Sequence, residues 1–536
     1  MVITSLRVRR NRLPIVSSLP PELLARIFCF SAAIDTPSSR ALGWIRVTHV
    51  CNQWRQVALD HPALWANVSL EIGSRWSEEM IQRAKLAPLI IQSNEVVSET
   101  VVGILHSHLA RTAELHLFGC KRDLVHIAGT LTTSAPLMEK VVIFSLDERC
   151  VHLPVDLFGH HAPLLRSAFF HGCSIPWSSP LLRNLSYLDI TLPPLQQSNM
   201  DVAPYLPSHE EFFDLLANMH QLESLSIEEY FPRYLPEATA SSRMRHPVIK
   251  LPHLSALKLV GQWSDCALVL GSIEVPATSR IILDCRDLDS DRFNSMLLPI
   301  LARHSGKTGD TLPMRTLLMN IHDYGSDSVI NIVGWTTSDV VDLAKLWWND
   351  TASDIGLLFQ IHLRYSSPYN LEGQESLDVI LQALHIQEMS ILFFRLQTQV
   401  PEGYLSIFDQ LESAQRLEHV ACEADACSVF STALVHTSES RPVNTRSQAV
   451  LFPRLRYVKL SANLLDIGRE PRNHFDSIGQ VIPVDELVEI PKRREALGVP
   501  LECLEIKMYP DAIHLEYLDQ IRAAAKNTVI KVVDWY

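Results

Sequence analysis

The sequence predicts an α/β protein in which a small all-α domain precedes a much longer α/β array. Two amphipathic patterns bounded by prolines, between residues 19 and 65, predict the all-α part. A phrase of alternating apolar residues that returns many times after residue 110 predicts the array. At 536 residues the chain is long enough for two or more domains, or for one domain and a repeat array.

The first predicted helix begins near Pro20. Proline suits the first turn of a helix because its missing N–H would have no partner there, and Glu22 complements the positive end of the helix dipole. The apolar residues of this helix recur at helical intervals, and we expect them on one face. They are Leu23, Leu24, Ile27 and Phe28.

A second helix is predicted from Trp44 to about Leu59, with Pro62 beyond its end. Its apolar stripe consists of Val47, Val50, Cys51, Trp54, Val57 and Ala58. Two or three short helices bury too little surface to offset the entropy of the chain. We therefore expect these helices to pack against a neighbour.

The same stretch contains three short motifs in order. They are Leu19-Pro20-Pro21-Glu22-Leu23-Leu24, then Val50-Cys51-Asn52-Gln53-Trp54, and finally Leu64-Trp65. Together they resemble an F-box, a domain of three short helices, here placed at residues 16–68. The resemblance implies docking on the Skp-type adaptor of an SCF-type (Skp-cullin-F-box) ubiquitin ligase, and through it on cullin and RING subunits. The residues that match the motif, and so are expected to bind the adaptor, are Leu19, Pro20, Leu23, Leu24, Ile27, Phe28, Val50, Cys51, Trp54, Leu64 and Trp65.

Two features of this region leave another interpretation open. The connection from Ser31 to Gly43 is longer than in compact F-boxes, and the helices could instead turn their apolar stripes towards the following domain.

Residues 1–15 are interpreted as a flexible basic arm. Its arginines are Arg7, Arg9, Arg10 and Arg12.

The recurring phrase has a leucine, two residues, Leu or Val, one residue and another apolar residue. The clear copies are Leu185–Ile190, Leu222–Ile227, Leu254–Leu259, Leu417–Cys422, Leu455–Leu460 and Leu501–Ile506. Weaker copies are Thr112–Leu117, Met138–Ile143 and Leu165–Phe170. Alternation in the second half of each copy predicts a half-buried strand.

The spacing of these strands is often wider than the roughly 20 to 29 residues of a regular leucine-rich repeat. The array, residues 69–536, therefore resembles an irregular leucine-rich-repeat-like α/β solenoid, a horseshoe in which stacked units share one core. A general α/β domain is the alternative. We interpret residues 192–211, 436–448 and 464–500 as insertions on loops between repeats.

On this interpretation the polar residues interleaved in the strands line the concave face and bind a protein substrate of unknown identity. The candidates are Tyr187, Asp189, Ser224, Ser226, Lys258, His419, Tyr457, Lys459, Glu505 and Lys507. Their mixed character does not identify a ligand.

Composition excludes several classes of protein. A formal net charge of -13 argues against nucleic-acid binding, which requires clustered lysine and arginine. We find neither a signal-peptide pattern nor an apolar run long enough to span a membrane, so no membrane partner is expected. Ten scattered cysteines suit a reducing compartment, the cytoplasm, the nucleus or both.

The motifs of nucleotide, zinc and serine-nucleophile sites are missing from the sequence. We therefore expect no catalytic residue, metal or cofactor, and a non-catalytic receptor subunit of a ubiquitin ligase. The first alternative is a scaffold protein that works outside ubiquitin transfer. The second, less favoured, is an α/β hydrolase-like enzyme with a site assembled from distant residues.

Overall fold

The structure is a computed structural model. It describes residues 15–38, 40–93, 99–147, 150–192, 206–232, 248–286, 290–306, 312–323, 328–338, 356–365, 371–398, 401–436, 450–461, 484–508, 515–524 and 527–534. The chain forms two compact units. The first unit is Met1–Arg245 with Ile249–Leu254, and the second is His246–Val248 with Ser255–Tyr536. The predicted basic arm lies, but for its last residue, outside the described residues.

The first unit begins with three short α-helices and continues with alternating strands and helices. The helices are α1 (Pro21–Ile34), α2 (Asn52–Leu59), α3 (Pro62–Trp65), α4 (Ser74–Ala84), α5 (Glu99–His108), α6 (Lys121–Ala128) and α7 (His209–Asn218). The strands are β1 (Asn67–Ser69), β2 (Leu89–Ser93), β3 (Thr112–Gly119), β4 (Lys140–Ser145), β5 (Val151–His152), β6 (Ser167–His171), β7 (Cys173–Ser174), β8 (Tyr187–Thr191), β9 (Ser224–Glu228) and β10 (Ile249–Lys250).

The longer strands of the first unit pair in parallel in the order in which they occur along the chain. The sheet runs β1–β2–β3–β4–β6–β8–β9, and the short strands β5 and β7 pair separately. Val141, Ala168, Leu188 and Leu225 are register neighbours and all are buried. Since alternate residues of a strand point to opposite faces, one face of the sheet forms the core and the other carries polar and aromatic side chains.

The second unit contains the remaining strands and helices. Its strands are β11 (Ala256–Gln262), β12 (Ile273–Glu274), β13 (Arg280–Arg286), β14 (Thr316–Asp323), β15 (Ser328–Trp335), β16 (Leu357–Tyr365), β17 (Ile391–Gln397), β18 (His419–Ala424), β19 (Tyr457–Ser461), β20 (Cys503–Met508) and β21 (Val529–Asp534). Its helices are α8 (Trp263–Ser272), α9 (Ser290–His304), α10 (Leu371–Ala383), α11 (Ser406–Gln410), α12 (Ala426–His436), α13 (Val484–Ala496) and α14 (Leu515–Ala524).

The sheet of the second unit is mostly parallel, with one exception. Its order is β11–β13–β16–β15–β14–β17–β18–β19–β20–β21, and β15 is antiparallel to both of its neighbours. The strands β13 to β17 carry no copy of the leucine phrase. The sequence therefore did not predict this part of the sheet.

Each clear copy of the phrase forms a strand that begins two residues after its first leucine. Leu185, Leu222, Leu417 and Leu455 are buried in the turns that precede β8, β9, β18 and β19. The strands at these copies show the predicted alternation of buried and less buried residues, except β9, where Leu225, Ser226 and Ile227 are all buried. The architecture is a mixed α/β fold with amino-terminal helices and large, mostly parallel sheets.

The three predicted insertions lie mainly outside the described residues, which omit 193–205, 437–449 and 462–483. The described parts of the first and third contain helical residues of α7 and α13, and that of the second is the last residue of α12. Ser208 caps α7, because its side chain accepts from the Glu211 N–H (3.2 Å) and the Glu211 carboxylate accepts from the Ser208 N–H (3.0 Å). Helix α13 occupies 484–496, within the predicted insertion at 464–500.

Candidate functional site

Helix α1 begins where the sequence predicts, at the prolines. Pro20 is extended (φ -56°, ψ 148°), and Pro21 is the first helical residue. The Leu24 N–H donates to the Pro20 carbonyl (3.1 Å), which starts the helical bonding. Pro21 needs no acceptor at this position, so the two prolines fix the start of the helix without loss of a hydrogen bond.

The predicted single apolar face of α1 is two faces. Leu24 and Phe28 are buried in the first unit, whereas Leu23 and Ile27 are 48% and 47% exposed. At 100° per residue, Leu24 and Phe28 point about 100° away from Leu23 and Ile27. The prediction that all four residues share one face is therefore wrong, because an interval of one residue turns a side chain by more than a quarter of a circle.

The outer face of α1 continues beyond the predicted motif. Phe30 is 63% exposed and Ile34 is 87% exposed. With Leu23 and Ile27 they occupy positions i, i+4, i+7 and i+11, which fall within about 60° of one another around the helix. We call these four residues the outer stripe. The sequence motif does not include Phe30 and Ile34, although their spacing from Leu23 places them on the same face of the helix.

The second predicted helix is interrupted at Cys51. Residues Gly43–His49 form a 3-10 helix, and α2 starts only at Asn52. Cys51 is extended (φ -157°), and its Sγ accepts from the Trp54 backbone N–H (3.5 Å). The Cys-x-x-Trp motif therefore caps α2, as a short polar side chain does at other helix starts.

Trp54 links α2 to the inner face of α1. Its ring lies 5.1 Å from the ring of Phe28, with an interplanar angle of 55°. Trp54 is half-buried, and Cys51 is also half-buried. Tilted aromatic pairs at this distance stabilise packing beyond their buried area. Trp54 thus joins α2 to α1, and Trp54 and Cys51 both still present some surface to solvent.

Leu64 and Trp65 are part of the core of this helical region. Both are buried, and the Trp65 indole N–H donates to the Ala58 carbonyl at the end of α2 (2.7 Å). The ring centres of Trp44 and Trp65 lie 4.9 Å apart at an interplanar angle of 68°, and the Arg83 guanidinium lies 4.3 Å from the centre of the Trp65 ring. The two residues predicted to bind the adaptor here are core residues.

Between α1 and α2 the backbone at Gly43 and Trp44 packs closely against the backbone at Asp35. The Trp44 N–H donates to the Asp35 carbonyl (2.8 Å), and the Arg46 guanidinium pairs with the Asp35 carboxylate. Gly43 has φ +53°, and a Cβ there would lie 2.5 Å from the Asp35 oxygen. Only glycine fits such a position without movement of the backbone.

The remaining motif residues lie at the rim. Leu19 is half-buried, and Pro20 and Val50 are exposed. The eleven predicted adaptor-binding residues therefore divide into three classes. The buried ones are Leu24, Phe28, Leu64 and Trp65; the half-buried ones are Leu19, Cys51 and Trp54; the exposed ones are Pro20, Leu23, Ile27 and Val50.

The predicted substrate-binding residues of the first unit lie on β8 and β9. Tyr187 is beside Ser224 in the register, and Asp189 is beside Ser226. The Tyr187 hydroxyl donates to the Glu223 carboxylate (2.7 Å), which raises the pKa of Tyr187. Ser226 is buried. Tyr187 is exposed, and Ser224 and Asp189 are half-buried, whereas Ser226 has no surface to offer a ligand.

The predicted residues of the second unit lie on β11 and on β18 to β20. Lys258 is on β11, away from the others in the strand order. The rings of His419 and Tyr457 stack at 4.5 Å, and burial lowers the pKa of His419. Lys459 and Glu505 form an ion pair (2.7 Å) on neighbouring strands.

Lys507 is half-buried on β20, two residues from Glu505. The Tyr457 hydroxyl donates to the Glu502 carboxylate (2.5 Å). These residues form a polar strip on β18 to β20. In it the charge of Lys459 is paired with that of Glu505, and Glu502 accepts a hydrogen bond from Tyr457.

Across the described ranges, no group of His, Cys, Asp and Glu side chains is arranged to hold a metal ion. Within the same ranges, none of the helices has the length and apolar character that crossing a membrane requires.

Comparison with known proteins identifies the amino-terminal helices. Residues 16–71 match the family model described as F-box-like. Comparison of the whole chain with curated proteins gives no match. F-box domains in general bind Skp-type adaptors and are typical of non-catalytic adaptor subunits. The segment that contains α1, α2 and α3 is therefore an F-box-like domain.

Proposed function

We propose that this chain is the substrate-recognition subunit of an SCF-type E3 ubiquitin ligase. The F-box-like domain binds a Skp-type adaptor and, through it, the cullin and RING subunits. The strand-rich part after residue 69 is a leucine-rich-repeat-like receptor domain for a protein substrate, in the cytoplasm, the nucleus or both. The chain itself catalyses no reaction, since its contribution is to raise the effective concentration of the substrate and to orient it.

The observation that carries this proposal is the outer stripe of α1. Leu23, Ile27, Phe30 and Ile34 expose a continuous row of large apolar side chains on the F-box-like domain. Exposed contiguous apolar surface typically marks a protein interface. Covering a half-exposed aliphatic side chain contributes about 1 kcal/mol, so the stripe supplies several kcal/mol to binding.

Val50 and Pro20 extend the same kind of surface. Val50 is 57% exposed and immediately precedes the Cys51 cap of α2, and Pro20 is exposed at the start of α1. Both match the F-box motif, as do Leu23 and Ile27. We therefore place the adaptor on the exposed motif residues and the outer stripe, and we assign a folding role to Leu24, Phe28, Leu64 and Trp65.

The pairing of the first unit supports the receptor part of the proposal. Its strands follow one another in parallel along the sheet, with a helix, turn or loop between successive strands. This order is the one expected when each strand-containing unit stacks on the previous one and shares its core. The antiparallel strand β15 makes the second unit less regular.

The proposal is tested by co-purification of the full-length chain with a Skp-type adaptor. We expect Ile27→Glu to abolish co-purification, because it places a charge in the centre of the outer stripe. Leu86→Glu is the matched control, since Leu86 is 94% exposed but lies outside the F-box-like domain. Adaptor binding that survives both Ile27→Glu and Leu23→Glu contradicts the proposal and favours a scaffold that works outside ubiquitin transfer.

A further inference from the structure

A depression of about 350 Å³ lies on the polar face of the sheet in the first unit. Its walls are formed by strands β3, β4, β6 and β8. Side chains around it include His116, Lys140, Phe144, Phe169, His171 and Asp189. It lies outside the F-box-like domain, and of these residues only Asp189 was predicted as a binding residue.

One row of register neighbours runs through this depression, and its three middle members line it. The row is Phe118, Phe144, His171, Thr191 and Glu228, on β3, β4, β6, β8 and β9 respectively. The rings of Phe118 and Phe144 stack at 5.8 Å, and those of Phe144 and His171 at 4.0 Å with an interplanar angle of 3°. The rings of Phe118, Phe144 and His171 therefore form a continuous stack across β3, β4 and β6.

The stack of rings ends at Thr191. Neighbouring strands are about 4.8 Å apart, so the backbones of His171 and Glu228 are separated by about 10 Å across the small Thr191 side chain. Thr191 and His171 both line the depression. The space above Thr191 is wide enough for one further planar group, stacked on His171.

Two carboxylates lie beside this space, Asp189 on β8 and Glu228 on β9. Asp189 lines the depression and accepts from the Thr191 hydroxyl (3.5 Å). Glu228 stands next to Thr191 in the register. Burial lowers the pKa of His171, while Glu228 and Asp189 act in the opposite direction. Burial thus favours the uncharged form of the His171 ring, which does not repel a cation.

The same face already holds one cation over a ring. The Lys140 ammonium lies 5.5 Å from the centre of the Phe169 ring. Cations are attracted to aromatic faces, and a planar guanidinium stacks on them in a way that an ammonium cannot. A guanidinium above Thr191 would have the His171 ring on one side, Glu228 on the other and Asp189 beside it on β8.

We propose that this slot binds an arginine side chain of the protein substrate, with the guanidinium stacked on His171 and paired with Asp189 and Glu228. The inference rests on the proposed receptor function and specifies one feature of the substrate. Lysine fits the slot less well, because it offers a point charge without a planar surface.

The test uses a random peptide library displayed on phage and selected on the full-length chain. We expect selected peptides to be enriched in arginine. In a synthetic peptide of the selected sequence, arginine to lysine weakens binding by about tenfold or more, because the bidentate, stacked contact is lost. Selection of acidic or purely apolar sequences, or no selection at all, overturns the proposal.

Two variants place the binding at the slot. Thr191→Phe continues the stack of rings and fills the space, and Asp189→Asn removes a charge at constant size. Both are expected to weaken the arginine peptide by about tenfold or more. Ser167→Ala, a change on the same face of β6 four residues before His171 and outside the residues that line the depression, leaves binding unchanged and serves as control. An arginine peptide that binds both slot variants as it binds the unaltered chain contradicts the proposal.

Adaptor co-purification of the same variants separates this inference from the proposed function. Thr191→Phe and Asp189→Asn keep the adaptor if they fold, and thermal unfolding checks the fold. Ile27→Glu loses the adaptor but keeps the arginine peptide. If the adaptor fails to bind the unaltered chain while arginine peptides still bind, the ligase proposal falls and the slot remains.

Discussion

Leu23 and Leu24 are consecutive residues of α1 that face opposite environments. Leu24 is fully buried in the first unit, and Leu23 is 48% exposed on the outer stripe. One side chain supports the fold, and the other is available to a partner. The F-box motif contains both kinds of residue, and they respond differently to substitution.

Truncation of these two leucines separates folding from binding. Leu24→Ala leaves a cavity in a packed core and should lower the free energy of unfolding by about 2 to 5 kcal/mol. Leu23→Ala should change it by no more than about 0.5 kcal/mol. Urea unfolding of the two variants measures the difference. Equal losses of stability would show that the outer stripe is covered by the chain itself.

A second prediction concerns Arg494, which the sequence analysis placed in an insertion. Its guanidinium is buried and donates to the carbonyls of Leu451 (3.1 Å), Phe452 (3.0 Å) and Leu455 (3.3 Å), while burial lowers its pKa to about 10. Arg494→Met leaves these carbonyls without the donor and should destabilise the chain by about 2 to 4 kcal/mol.

Lys492 provides the control for Arg494. It lies two residues earlier on α13 and is exposed. Lys492→Met removes the same charge and should leave the denaturation midpoint nearly unchanged. If the two variants unfold at the same denaturant concentration, the buried contacts of Arg494 do not stabilise the unit.

How far the sequence predicts the fold depends on how each strand is buried. In β8 and β19 one face is buried and the other is not, so apolar and polar residues alternate and the pattern is readable. The missed strands β14 and β15 contain runs of buried residues. Leu318 and Val333 belong to one apolar cluster, and Leu317 and Ile332 are buried on the opposite face of the sheet.

A strand buried on both faces gives a continuous apolar run, which periodicity alone does not distinguish from a buried helix.

The sequence also predicts only part of the candidate site. The motif located the F-box-like domain, but the division of α1 into an inner and an outer face depends on which side the rest of the unit covers. The slot above Thr191 depends on register between distant strands, which no local pattern encodes.

A third prediction concerns pH. His304 is buried, with its ring nitrogens 2.8 Å and 3.1 Å from the carbonyls of Ile300 and Pro276. Burial lowers the pKa of His304 below its usual 6.5, although the two carbonyls act in the opposite direction. As pH falls below 6.5, the unfolded chain takes up a proton that the folded chain does not. The stability contribution present above that pH is therefore lost on acidification.

The variant His304→Gln is neutral at every pH in this range. Its free energy of unfolding should fall less between neutral pH and about pH 5.5 than that of the unaltered chain. Burial also lowers the pKa of His171, His322 and His419, so part of the acid sensitivity remains. Identical pH dependence in both proteins would exclude His304 as a contributor.

Gly43 and Gly103 should respond to alanine with opposite signs. At Gly43, with φ +53°, the new Cβ would meet the Asp35 carbonyl oxygen at 2.5 Å, so the connection between α1 and the Trp44 turn must move. We expect a loss of about 1 to 3 kcal/mol. Gly103 lies in α5 with no heavy atom within 4 Å of the added Cβ. Alanine there should stabilise by about 0.5 to 1 kcal/mol, because it favours the helix.

Thermal unfolding of the two variants shows the sign of each change directly, and the Gly103 variant controls for the added methyl group. The turn at Gly43 also carries Trp44, whose ring edge packs on Trp65 at 4.9 Å. A displaced turn should therefore reduce adaptor binding by the Gly43 variant even where the outer stripe is unchanged. A Gly43→Ala protein as stable as the unaltered chain would mean that the Asp35 contact is not close in solution.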